Sequence, residues 1–323
     1  MGTGTSLPKN PRRQPLLQKT SRRKNKREGS MPVSRRKFLK LAGAGLGGVA
    51  LNLAPAPVKA STSRGKVESA ENSASMLYDA TLCVGCRACQ MVCKRRSHLP
   101  YETDSQQLYE APPDLSANTW TLIKLYKGDE GTSFVKNQCM HCIEPACVSV
   151  CPVAALEKLE NGPVVYHADR CIGCRYCMAA CPFGIPKTQW EKTLPLIQKC
   201  DFCADRLAKG EQPACSEVCP TGALISGKRG HMLEVAHTRL KSNNQYYQQV
   251  YGENEVGGTS MLYISAINHA ALGFPQLKGT PLPSLDWPYM KAVPGVVAVM
   301  VTLSTAIYLR THRDENGKPK KEA

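Results

Sequence analysis

The sixteen cysteines of this 323-residue chain fall into four groups of four with none left over, and they are where its chemistry must reside. The first group is Cys83-x2-Cys86-x2-Cys89-x3-Cys93, and the third is Cys171-x2-Cys174-x2-Cys177-x3-Cys181 followed by Pro182. The second, Cys139-x2-Cys142-x4-Cys147-x3-Cys151 with Pro152, and the fourth, Cys200-x2-Cys203-x11-Cys215-x3-Cys219 with Pro220, keep the same ends around a longer middle. Three thiolates offered by one tight loop, with a fourth that serves a second centre, is the ligand pattern of 4Fe-4S clusters. Zinc needs only pairs of Cys-x2-Cys and leaves the third Cys and the following Pro unexplained. A disulfide framework, which exported proteins use, does not close comfortably inside Cys-x2-Cys-x2-Cys loops.

The residues between the ligands fit the same chemistry. Gly85 and Gly173 stand where backbone amides must turn inward, and hydrogen bonds to cluster sulfurs raise a reduction potential. Arg87, Arg175, Lys94 and Lys199 adjoin ligands and read as solvated surface cations rather than as charges that set potentials. His141 is either a redox-tuning group or a loop residue, and no pair of histidines is spaced for catalysis. With no P-loop and no dinucleotide fingerprint, the chain reads as an electron carrier without a catalytic site of its own.

Elements must hold these groups. Cys151 and Cys171 are twenty residues apart, whereas forty-five residues, 94–138, separate the first group from the second. The second and third groups therefore form a compact core, and the outer two pair with each other. The expected fold class is α+β, with two ferredoxin-like units holding two clusters each, carrying insertions, over residues 76–230. Thr119–Tyr126 and Pro163–Tyr166 read as strands leading to cysteine groups, and Gly230–Ser242 as a helix. Residues 231–288 read as an extension and linker, with no further element expected in them.

A composition of 42% hydrophobic and 21% charged residues suits one or two globular domains and excludes a disordered, collagen-like or polytopic membrane chain. The net charge of +16 sits at the front, where residues 1–60 hold fourteen Lys and Arg against Glu28 alone. Nucleic-acid binding by the body loses its support once that charge is removed with a leader. Ser34-Arg35-Arg36-Lys37-Phe38-Leu39-Lys40, a Gly-rich apolar stretch and Val58-Lys59-Ala60 resemble a twin-arginine signal peptide over residues 1–60. That route exports folded proteins, which suits a chain loaded with metal in the cytoplasm. The basic residues before Met31 are either a long leading region or the mark of a start at Met31.

Ala292–Leu309 carries no charge and would span about 27 Å as a helix, so residues 290–310 read as one transmembrane helix. Trp287, Tyr289 and Tyr308 flank it, and basic residues follow in a tail over 311–323, which places that tail in the cytoplasm and the body in the periplasm.

The stretches Met76–Cys86, Gln138–Cys142 and Cys171–Met178, with Tyr251-Gly252-Glu253 and Gly257-Gly258-Thr259, resemble the four-cluster electron-transfer subunits of periplasmic membrane-bound oxidoreductases. The likeness covers roughly 34–310, and the leader with a single C-terminal span makes it most similar to the HybA type, from nickel-iron uptake hydrogenases. The resemblance implies four 4Fe-4S clusters: one on Cys83, Cys86, Cys89 and Cys219; one on Cys200, Cys203, Cys215 and Cys93; one on Cys139, Cys142, Cys147 and Cys181; and one on Cys171, Cys174, Cys177 and Cys151. It also implies hydrogenase small and large catalytic subunits, a quinone-reactive integral membrane subunit and membrane lipid as partners, at the periplasmic face of the inner membrane. The beta subunit of a membrane formate dehydrogenase, or of another molybdopterin oxidoreductase, is the alternative. A zinc-bearing, membrane-tethered scaffold is the non-redox alternative, and colour separates it from an iron-sulfur protein.

Overall fold

The structure is a computed structural model, and it describes residues 70–100, 114–193 and 195–311. The twin-arginine leader, Met31 and the tail beyond Thr311 lie outside the described residues.

Strand β1 (Ala74–Asp79) is the spine of a three-stranded sheet, flanked by β8 (Leu224–Lys228) antiparallel and β9 (Met261–Ile264) parallel. A period of two decides what each face covers. Met76 and Tyr78, with Met261 and Tyr263, point to the side where Phe202 and Cys215 are buried. Leu77, with Leu262 and Ile264, points the other way, onto Met232, Ala236 and Leu240 of the long helix α6 (Arg229–Ser242). Leu77 and Leu262 are wholly buried, each contributing about 2 kcal/mol of apolar burial.

Three hairpins feed the cysteine loops. Strands β2 (Thr121–Gly128) and β3 (Gly131–Gln138) pair around Asp129-Glu130, and β3 runs straight into Cys139. Strands β4 (Leu156–Lys158) and β5 (Val164–Tyr166) lie between Cys151 and Cys171, and β6 (Lys187–Thr188) and β7 (Ile197–Gln198) between Cys181 and Cys200. The strand read over Thr119–Tyr126 is β2, begun two residues later; Pro163–Tyr166 becomes β5, and Gly230–Ser242 becomes α6.

Short helices carry five of the thiols: α1 (Ala88–Arg96) holds Cys89 and Cys93, α2 (Ala146–Ser149) Cys147, α3 (Tyr176–Ala180) Cys177 and α5 (Ala214–Glu217) Cys215, while α4 (Ala204–Leu207) follows directly on Cys203. Helix α1 packs on α5, and α2 packs on α3. The first cysteine group thus meets the fourth, and the second meets the third.

The segment after residue 242 does more than connect. It supplies β9, and its Gly258 carbonyl accepts from the Ile143 N–H at 3.0 Å while Ser260 and Met261 donate to the Met140 carbonyl. Buried Arg229 donates to the carbonyls of Thr259, Gly252 and Glu253, pinning this segment against α6. Glycine is required at Gly252, whose φ is +97° and where a Cβ would strike the Met261 carbonyl at 2.5 Å.

Helix α7 (Leu282–Thr311) is thirty residues long, about 45 Å, and apolar enough to cross a bilayer, with none of its most apolar window buried in the protein. It starts eight residues before the expected 290. Pro283 suits a first turn, and Pro288 and Pro294 lie inside the helix, as prolines do in helices of membrane proteins.

Candidate metal centres

The backbone builds one local device four times. The third residue of each Cys-x2-Cys sits in the left-handed region: Gly85 (φ +68°), His141 (+46°), Gly173 (+71°) and Phe202 (+60°). This turns amides toward sulfur, and the N–H groups of Gly85, Gly173 and Phe202 each donate to the Sγ of the loop's first Cys at 3.4 Å. Glycine adopts the turn freely, whereas a side chain there costs about 1–3 kcal/mol that the surroundings must offset. His141 and Phe202 are both buried, with ring centroids 4.7 Å apart, and the His141 Nδ1 accepts from the Val164 N–H at 2.9 Å.

All sixteen cysteines are free thiols, with no disulfide among them. Tertiary packing gathers them into four neighbourhoods. In site I, Cys83, Cys86, Cys89 and Cys219 line one cavity with Tyr78, Arg87 and Lys136. Burial pushes the Cys89 thiol up, and Cys83, Cys86 and Cys219 add to the rise. In site II, burial and then Cys215 and Cys203 push Cys93 up to about 12, while Cys200 is raised by burial, Cys93 and Cys215. In site III, Cys142 is raised by burial and then by Cys139, Cys147 and Cys181. In site IV, burial and then Cys171, Cys151 and Cys174 push Cys177 up to about 11.

The sites are also ordered. Cys215 of site II is buried in one cluster with Cys83, Cys89 and Cys219 of site I, Cys200 of site II in another with Cys139 and Cys181 of site III, and Cys177 of site IV in a third with Cys147 of site III. The neighbourhoods therefore succeed one another from I to IV. Cys86 of site I and Cys174 of site IV are the exposed cysteines, so the two ends of the row face solvent.

Four thiols crowded out of water resist ionisation, and a polynuclear iron centre held by them would supply the positive charge that ionises them. The donor set is sulfur alone, which is the set 4Fe-4S clusters take. Among the described residues, no three His, Cys, Asp or Glu side chains converge as ligands of a single ion.

Buried cations sit among the thiols, and here the sequence reading is corrected. Lys94 and Lys199 are 3% and 5% exposed, not solvated surface groups. Lys199 donates to the carbonyls of Val164 and Cys200, and its charge lowers the pKa of Cys147. Arg175 is exposed as expected and stacks 4.2 Å over the Trp190 ring. Lys136 and Lys158 were not singled out from sequence, because a lysine in a short strand carries no local sign of burial; Lys136 follows inward-facing Val135 and precedes Gln138 by two. Lys158 donates to the carbonyls of His141 and Cys142, and burial pulls its pKa down to about 8 against the upward pull of Cys142 and Cys139. Burial, with Lys199 and Lys158 adding, holds the His141 imidazole neutral, well below its ordinary pKa.

A 4Fe-4S dicluster domain model matches residues 131–229, which contain the second, third and fourth cysteine groups. The nitrate-inducible formate dehydrogenase iron-sulfur subunit of Escherichia coli K12 is 37% identical over 60% of this chain and 68% of its own length. Hydrogenase-2 operon protein HybA of Escherichia coli O157:H7 is 32% identical over 88% of this chain and 98% of its own length. The chain belongs to the iron-sulfur protein family of HybA and these formate dehydrogenase subunits. Within it, a protein of Nitratidesulfovibrio vulgaris is 38% identical over 88% of this chain and 78% of its own. For a member of this family, the free thiols and the inward-turned amides describe an iron-sulfur protein.

Proposed function

We propose that this chain is the electron-transfer subunit of a periplasmic, membrane-bound hydrogenase. The observation that carries the reading is the single row of four thiol sites with solvent-exposed cysteines only at its ends, Cys86 and Cys174. Four 4Fe-4S clusters, one on each set of four Cys, would supply one-electron carriage from the hydrogenase small and large subunits to a quinone-reactive membrane subunit. The chain's own part is to ionise and space the thiols, exclude water from the middle sites, and present each end of the row at the surface. The sets are those named above: Cys83, Cys86, Cys89 and Cys219; Cys93, Cys200, Cys203 and Cys215; Cys139, Cys142, Cys147 and Cys181; Cys151, Cys171, Cys174 and Cys177. The packing of α1 on α5 and of α2 on α3 supports two ferredoxin-like units that exchange their fourth cysteines.

Helix α7 contacts α2, which carries Cys147 of site III and packs on the α3 of site IV, so the contact with the element read as the membrane anchor is made from this half of the row. That favours the site IV end as the exit toward the membrane and the site I end as the entry. The near-complete overlap with HybA favours hydrogen over formate as the source of electrons. The twin-arginine reading of residues 1–60 favours a body exported to the periplasm.

The test is to isolate the tagged protein gently from detergent-solubilised membranes and assay the complex for hydrogen-dependent and formate-dependent dye reduction. Hydrogen-dependent reduction with a nickel-bearing partner is the expected result. Formate-dependent reduction moves the chain to a formate dehydrogenase, and a colourless, zinc-bearing preparation overturns the electron-transfer reading.

A further inference from the structure

Lys136 is the most completely buried cation of the molecule's described residues: it is 0% exposed, deeper than Lys94, Lys158 or Lys199. Its ammonium donates to the Thr121 Oγ1, across the β2–β3 hairpin, and among the described residues no carboxylate forms an ion pair with it. It lines the cavity shared by Cys83, Cys86, Cys89 and Cys219. Site II adjoins the same place: Cys93 follows Cys89 by one turn on α1, α1 packs on the α5 that carries Cys215, and Cys215 is buried in one cluster with Cys83, Cys89 and Cys219; the Lys136 charge accordingly opposes the rise that burial imposes on the Cys93 and Cys215 thiols. An ammonium withdrawn from water without a compensating anion is costly, by several kcal/mol in a protein interior. The groups around it that can carry the compensating charge are the thiolates of two successive sites.

We propose that Lys136 is the shared counter-cation of sites I and II, which holds both centres at a higher reduction potential than their sulfur ligands alone would set. The proposal rests on the reading of these sites as cluster-bearing. A centre ligated by four thiolates is anionic and gains a further negative charge on reduction. A fixed positive charge between two such centres therefore favours the reduced form of each. It also lessens the repulsion between an electron on one and the charge of the next. The middle of the row has its own cations, since Lys158 and Lys199 act on Cys142 and Cys147 of site III. Lys136 is thus a positioning and potential-setting residue for one end of the row only.

The experiment is an EPR-monitored redox titration of the intact complex carrying Lys136→Met, with Lys158→Met as the comparison. Two cluster signals should titrate at lower potential in Lys136→Met, and a different signal should move in Lys158→Met. Lys136→Arg, which keeps the charge, should restore both. No shift, a shift of one signal, or a uniform shift of all would overturn the proposal. If Lys136→Met does not retain its iron, Lys136→Gln is titrated in its place. If neither neutral variant loads, loading by Lys136→Arg alone shows that the charge is what the sites need, and failure of that variant too shows that shape is, which overturns the role. Iron content and signal count in the unaltered complex are read first. Fewer than two adjacent clusters there refutes the reading of the sites, whereas four clusters unmoved by Lys136→Met refute only the role of the lysine.

Discussion

At the scale of single residues, the four loops reach one backbone turn by different means, and the difference is measurable. Gly85 and Gly173 hold equivalent positions with φ of +68° and +71°, but a Cβ on Gly85 would run into the Phe134 ring while one on Gly173 would meet nothing. Gly173→Ala should cost only the left-handed backbone, about 1–2 kcal/mol. Gly85→Ala should cost more and lower the iron retained at site I. Thermal midpoints with iron analysis check this, and equal losses would mean that the Phe134 ring yields freely. His269 offers a second test away from the thiols. Burial pushes its pKa down to about 4, and it stacks on Tyr251 and packs on Phe274. As pH falls below the ordinary histidine value of about 6.5, the unfolded chain binds a proton that the folded chain refuses until about 4. Stability is therefore full above the ordinary value and declines through that window, by up to about 3 kcal/mol. His269→Phe should flatten the decline, which the difference in thermal midpoint between pH values would show.

At the scale of elements, the three-stranded sheet is where the molecule can be weakened without touching a thiol. Strand β9 arrives from far along the chain to pair with β1, and its Leu262 is buried between Leu77 and the α6 face that carries Met232 and Ala236. Leu262→Ala should cost about 2–5 kcal/mol, the range for a fully buried leucine left as a cavity. Chemical denaturation of the purified protein checks it, and a loss below about 1 kcal/mol would show that this sheet face repacks. Because β9 also sets the strands that hold Met140 against Ser260 and Met261, the same variant should loosen the loop of Cys139 and Cys142 before the loop of Cys171 and Cys174.

At the scale of the whole molecule, the proposed function depends on a row of sites joined to one apolar helix. Val299 lies mid-way along α7 with an exposed side chain. Val299→Arg places a charge at the depth of a bilayer's hydrocarbon, at a cost of about 2.5–3.5 kcal/mol on insertion scales. The variant should appear in the soluble fraction of washed membranes with its iron content unchanged. Retention on the membrane would show that partner subunits, rather than α7, hold the body there.

The ligand chemistry was legible in the residues alone, because a three-thiolate loop can be formed only by closely spaced cysteines and spacing is a property of the chain. The entry strands β2 and β5, helix α6 and the apolar run of α7 were legible for a similar reason: period and length are local. The cations were not. Whether a lysine lies in water or among thiols depends on which distant strands close over it, so Lys94 and Lys199 read as surface groups and Lys136 and Lys158 passed unnoticed. Strand β9 was missed because four residues pairing with a partner about 185 positions earlier leave no local signature, as the Met76–Met261 register shows. The order of the sites, and the exposure of Cys86 and Cys174 at its ends, came likewise from tertiary packing alone, because it is the docking of α1 on α5 and of α2 on α3 that decides which thiols become neighbours.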